Sequence, residues 1–143
     1  MDIYREPSLA AVAPLLRDAG LTTADLPQDL EHFFACGAPG SPEGVVGLEL
    51  YGGDAILRSL AVSPAIRGRG CGKALVGAAE RHARAHRVLT VYLLTETAQG
   101  FFEGLGYRLA DRSVAPEPIR RSRHFAEICR ASAALMAKTL EAL

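Results

Sequence analysis

Apolar positions recur along the chain at two spacings. Leu9, Val12, Ala13 and Leu16 follow the three-and-four step of a helix, with Ser8 placed to cap it and Gly20 to stop it. Leu75, Val76, Ala79 and Ala83 repeat that face further on. Val45 to Tyr51 and Ala55 to Ser63 read as strands joined by a hairpin turn at Gly52-Gly53-Asp54. Val88 to Leu94 is almost unbroken apolar sequence, the mark of a central strand. Ile3-Tyr4 predicts a short opening strand, Tyr107 to Ala110 a further one and Ala131 to Lys138 a closing one. Thr22, with Asp25 three residues later, resembles a capping box and predicts a second helix through Phe33-Phe34. Ala38 to Gly44 holds two prolines and two glycines and reads as a turn. Ala98 to Leu105 predicts a short helix stopped by Gly106, and Pro116 and Pro118 open a last helix reaching Ile128. The pattern describes one domain over residues 1–143, a mixed α/β fold with a central sheet flanked by helices.

Composition narrows the function classes. A chain of 143 residues, 49% hydrophobic and 22% charged, buries enough surface for a core without disulfide staples and is not a disordered sequence. Its 16 basic and 16 acidic residues cancel, so no global field draws it to nucleic acid or an anionic membrane. No apolar span reaches 18 residues, and Asp2, Arg5 and Glu6 do not fit a signal peptide. Cys36, Cys71 and Cys129 are odd in number and too far apart for a metal knuckle, which points to a reducing, cytoplasmic setting. His82 and His86 stand four apart on one helix without a third ligand and read as surface polar residues, so no metal is expected.

The informative segment is Arg67-Gly68-Arg69-Gly70-Cys71-Gly72-Lys73, set between a strand and a helix. Leading N–H groups of a helix, with the positive end of its dipole, make an anion site. Glycines let the backbone approach a phosphate closely, and Arg67, Arg69 and Lys73 add charge. A Walker loop would need a glycine at Arg67 and Ser or Thr at Ala74; a dinucleotide fingerprint would need a glycine at Lys73. Neither fits.

Arg67-x-x-Gly70-x-Gly72 resembles the pyrophosphate-binding motif of the GNAT-type N-acetyltransferases, which bind acetyl-CoA. Leu57 to Pro64 is similar to that family's fourth strand, and Ala98-x-x-Phe101-Phe102-Glu103-x-Leu105-Gly106-Tyr107 to its next signature. The resemblance implies a GNAT-like fold, with Leu60, Ala61 and Val62 holding pantetheine by backbone and Arg67 to Lys73 holding pyrophosphate. It also implies Thr95 and Phe102 on the cofactor side, and a homodimer. Leu93-Leu94-Thr95-Glu96-Thr97-Ala98, Pro118-Ile119-Arg120 and Ile128-Cys129-x-Ala131-Ser132-Ala133 further resemble small acetyltransferases associated with arsenic resistance. The opening Gly20-Leu21-Thr22-Thr23-x-Asp25-Leu26 does so too. Relatives of that group acetylate the α-amine of glutamate-like toxins such as arsinothricin and phosphinothricin.

The chain departs from the family at Phe102, where many members carry a tyrosine that protonates the departing thiolate, and at Thr95, where asparagine is common. Glu49 is the candidate base for the amine proton, and a paired or solvent-facing strand carboxylate is the alternative. Arg58 needs an anion, either a substrate oxyacid held bidentately or an Asp or Glu of the chain. Strand alternation places Ser59 on the opposite face from Arg58. Arg120, Arg121, Arg123 and His124 form a basic cluster that reads as an anion clamp, a solvated face or a dimer contact. Cys71 begins a helix, where a thiol pKa tends to fall; an acyl-cysteine is one reading and a small filler the other. Cys129, in a segment resembling the arsenic-associated group, is a candidate for contact with trivalent arsenic, although metalloid binding ordinarily takes several thiols and none adjoins it in sequence.

The function these residues describe is acetyl transfer from acetyl-CoA to the primary amine of a small molecule. The favoured acceptor is a glutamate-like arsenic or phosphorus oxyacid. Acetylation of a peptide amine and non-catalytic sensing of acyl-CoA are the alternatives.

Overall fold

The computed structural model describes residues 2–128 and 133–141. In chain order the elements are β1 (Ile3–Arg5), α1 (Leu9–Asp18), β2 (Phe33–Ala38), β3 (Ser41–Tyr51), β4 (Asp54–Val62), α2 (Cys71–Ala85) and β5 (Thr90–Thr95). There follow α3 (Gln99–Gly104), β6 (Arg108–Leu109), α4 (Glu117–Arg120), α5 (Arg123–Ile128) and β7 (Ala134–Thr139). Among the described residues the strands form one seven-stranded sheet, ordered β1-β2-β3-β4-β5-β7-β6. The sheet is mixed. β1 and β3 pair antiparallel to β2, β4 pairs parallel to β5, and β7 runs antiparallel to both β5 and β6. The α/β class expected from the apolar pattern is the class the chain adopts.

Two compact units divide the chain: Met1–Leu48 with Leu57–His82, and Glu49–Ile56 with Ala83–Leu143. In the first, Val12 and Leu16 of α1 pack with Leu30, Phe33, Val45 and Ala61. In the second, Ile56, Ala115, Ile119, Phe125 and Leu135 form the buried cluster, with Tyr92 and Leu94 against it. The start of α1 is as read: Ser8 Oγ accepts from the Ala11 N–H at 3.1 Å, and Gly20 leaves the helix at φ +74°.

The second predicted helix does not form. Phe33–Ala38 is strand β2, paired residue by residue with β3 from Phe33 opposite Gly47. Thr22 Oγ1 accepts from the N–H two residues on, Ala24 at 3.2 Å, which closes a local turn instead of capping a helix. Asp25 cannot complete a capping box because its carboxylate is bound to Arg58. The turn expected over Ala38 to Gly44 shrinks to Pro39-Gly40. Ala38 pairs with Ser41, Gly37 with Pro42, and a register shift at Cys36/Gly37 accommodates the proline in the ladder.

The last predicted helix is broken into α4 and α5 at Ser122. Its hydroxyl donates to the Ile119 carbonyl at 2.7 Å and accepts from the Phe125 N–H at 3.1 Å, ending one helix and starting the next. Cys129 and most of the Ile128 to Ala133 motif lie outside the described residues.

Candidate functional site

β4 pairs with β5 over Asp54–Ile56 against Thr90–Tyr92, then runs on from Leu57 to Val62 within the first unit. Part-way along that stretch Ser59 takes φ +59°, a left-handed conformation that costs a non-glycine residue about 1–2 kcal/mol. The bend breaks strand alternation. Arg58 Nε donates to Ser59 Oγ at 3.0 Å, so the expectation that these two side chains occupy opposite faces is wrong.

After Val62 the chain turns through a short 3-10 segment at Pro64–Ile66. The Ser63 N–H donates to the Glu43 carbonyl at 2.7 Å, tying the end of β4 to β3. Arg67 Nε donates to the Val62 carbonyl at 3.3 Å, bracing the turn across its mouth. Gly68 and Gly70 both adopt positive φ, +82° and +83°, and a Cβ on either would project into open space. Arg67, Arg69 and Lys73 are exposed around them. The first backbone bond of α2 runs from the Ala74 N–H to the Gly70 carbonyl at 3.0 Å. The N–H groups of Cys71, Gly72 and Lys73 precede it, where an α-helix has no carbonyl to offer them. Donors, positive charge and open volume thus coincide at one helix start, which suits a phosphate.

The underside of the turn explains Cys71. Its side chain is buried, hydrogen-bonded to Cys36, and burial together with that partner pushes the thiol up to about 12. The lowered pKa expected at a helix start is therefore reversed, and the filler reading of Cys71 stands in place of the acyl-cysteine. Gly44 on β3 completes the fit. A Cβ there would fall 2.7 Å from Cys71 Sγ and 2.8 Å from Cys36 Sγ, so only glycine lets both sulfurs seat beneath α2.

Arg58 is fully committed on its terminal nitrogens. Nη2 donates to Asp25 Oδ1 at 2.6 Å and Nη1 to Asp25 Oδ2 at 2.8 Å, with both side chains buried. Of the two anions the sequence allowed, the structure supplies the carboxylate of the chain itself. Asp25 was the partner no local signal could identify, since it lies 33 residues away.

The remaining candidates belong to the second unit. Glu49 is half-buried on β3 and accepts from the Tyr51 hydroxyl at 2.6 Å, a partner the sequence reading missed although it lies two residues on along the strand. Thr95 ends β5 and its Oγ1 accepts from the Ala98 N–H at 3.0 Å, shaping the approach to α3. Phe102 is buried, edge-on to Phe101 and to Tyr107 at centroid distances of 5.1 and 5.6 Å. Arg120, Arg121 and Arg123 are exposed, and Arg121 pairs with Glu117 at 2.7 Å. His124 is buried and so leaves the predicted surface cluster.

A family model described as an acetyltransferase (GNAT) domain matches residues 29–109, more than half the chain and all of the glycine-rich turn. The chain belongs to the GNAT acetyltransferase family. No curated protein matches it in sequence. Among solved structures, this GNAT chain is similar in fold to an N-acetylglutamate synthase from Neisseria gonorrhoeae complexed with coenzyme A and N-acetyl-glutamate. That match has TM-score 0.79 and 18% identity over 99% of this chain, and covers only 36% of the synthase. Rv2747 from Mycobacterium tuberculosis, in complex with CoA, matches with TM-score 0.74 and 20% identity over 99% of this chain and 100% of its own. An acetyltransferase from Streptococcus agalactiae matches with TM-score 0.72 and 16% identity, covering 97% and 98% of the two chains. No described helix is long and apolar enough to cross a membrane.

Proposed function

We propose that the chain binds acetyl-CoA at the glycine-rich turn and transfers its acetyl group to the primary amine of a small molecule. The observation that carries this reading is the start of α2: two glycines at positive φ facing open space, three leading N–H groups, and the exposed Arg67, Arg69 and Lys73. These donors fit a pyrophosphate. Leu60, Ala61 and Val62, on β4 beyond its paired stretch with β5, would hold the pantetheine arm through backbone groups. When bound, acetyl-CoA supplies the activated thioester.

On the protein side, Glu49 accepts the proton that the attacking amine loses, directly or through water. The Tyr51 hydroxyl bond fixes the orientation of that carboxylate. Phe102 carries no exchangeable proton, so no general acid stands at that position, a loss of about 10²–10⁴-fold at most. Arg58, held by Asp25, acts as a positioning residue that fastens the loop before β2 to β4. Arg120 is the candidate contact for an acceptor's oxyacid group, as an exposed fork-shaped donor.

The favoured acceptor is a glutamate-like amino acid bearing a carbon, arsenic or phosphorus oxyacid. Two lines support that class: the resemblance to the arsenic-associated group, and the fold shared with a synthase solved with N-acetyl-glutamate. Incubation with acetyl-CoA and a panel of arsinothricin, phosphinothricin, glutamate and lysine peptides, read by mass spectrometry, tests it. An N-acetylated glutamate-like product is expected; acetylated peptide alone overturns the substrate class. Phe102 favours one competing reading, a sensor that binds acyl-CoA without turnover. Tight acetyl-CoA binding with no acetylated product from any amine would establish that reading instead.

A further inference from the structure

His32 and His82 lie 50 residues apart in sequence, and the fold sets His32 Nδ1 2.9 Å from His82 Nε2. His32 immediately precedes β2, and its carbonyl is pinned by the Leu48 N–H at 3.0 Å. His82 sits in the last part of α2, with the Phe34 ring edge-on at 5.2 Å. Both imidazoles are half-buried, so one side of the pair faces solvent. The rings are tilted by 48° rather than stacked, with centroids 5.1 Å apart.

We propose that His32 Nδ1 and His82 Nε2 bind a divalent first-row cation, zinc in particular, with water completing its shell. One proton now lies between two nitrogens, donated by one ring and accepted by the other. A cation replaces that proton and uses both lone pairs. Zinc–nitrogen bonds of about 2.0–2.1 Å at a tetrahedral angle put the two nitrogens about 3.3 Å apart. To admit the ion the nitrogens must separate by about 0.4 Å and each ring must swing its lone pair about 35° off the line between them. The displaced proton moves to the other nitrogen of the same ring, so loading a neutral pair leaves both imidazoles neutral. Imidazole ligation also suits copper and nickel, but zinc takes a water-completed site without imposing a planar geometry. Such a clamp ties the start of β2 to the helix that carries the glycine-rich turn, at a distance from the turn itself.

The test is calorimetric titration of the untagged protein with zinc chloride at pH 7.5, beside His32→Gln and His82→Gln. The wild type should take up one zinc at pH 7.5. Each variant should bind about tenfold or more weakly. Zinc at about a hundred times the wild-type Kd should raise the wild-type Tm by about 5 °C and the variants by about half that or less. Absence of zinc uptake by the wild type at pH 7.5 overturns the proposal, and so does wild-type affinity in either variant. Because the wild-type titration stands alone, a variant that failed to fold would not protect the idea.

Discussion

At the scale of single residues, the buried pair Arg58–Asp25 carries the sharpest consequences. Removing one member leaves the other charge buried and unpaired, at a cost of about 3–5 kcal/mol. Arg58→Ala and Asp25→Ala should each lower the free energy of urea unfolding by that amount, and the double variant Arg58→Met/Asp25→Leu should recover much of it. An Arg58→Ala protein as stable as wild type, with KM raised only for an oxyacid substrate, would return the guanidinium to substrate binding. Cys71 supplies a second consequence. Its thiol is raised to about 12 in the fold, against 9.0 for the unperturbed group. The folded chain therefore holds a proton that the unfolded chain has released between those values, and stability falls as pH rises from about 9 towards 12. Urea unfolding of wild type and Cys71→Ala at pH 8 and pH 10.5 should show the gap narrowing at the higher pH; a constant gap would contradict the assignment.

Single elements show which local signals govern and which yield. The cap at Ser8, the stop at Gly20 and the glycine turn before α2 were legible because each depends on neighbours a few residues away. The segment from Thr22 was misread for the opposite reason. Its helix-like capping pattern is real, but Asp25 gains more from a buried guanidinium 33 residues off, and Phe33 to Cys36 gain more from a ladder with β3. Ser59 gave no warning either, since a left-handed serine inside a β-rich run has no sequence mark. Ser122 illustrates a signal present but unused: it is one hydroxyl serving two helices. Ser122→Ala should cost about 1 kcal/mol of stability, measured by thermal or urea unfolding. An unchanged midpoint would mean that the break between α4 and α5 is set by packing alone.

For the whole molecule, the class of fold was legible because it follows from strand and helix periods, and so was the glycine-rich turn at a helix start, where the phosphates are proposed to sit. The acceptor side was less so. Glu49 gained its orienting partner Tyr51 only once β3 was seen, Arg58 turned inward to Asp25, and His124 left the surface. A homodimer, which the family resemblance implies, predicts a mass near twice 15.2 kDa by light scattering, and a monomeric mass would refute it. The central claim concerns the start of α2, and a calorimetric titration with acetyl-CoA of wild type beside Gly70→Val tests it most directly. Valine at φ +83° forfeits the turn's backbone while its side chain meets only open space, so the rest of the fold should persist by circular dichroism. One binding event in the wild type and none in a folded variant is the predicted result. Equal acetyl-CoA affinity in the two proteins would contradict the account, since the phosphates would then be held elsewhere.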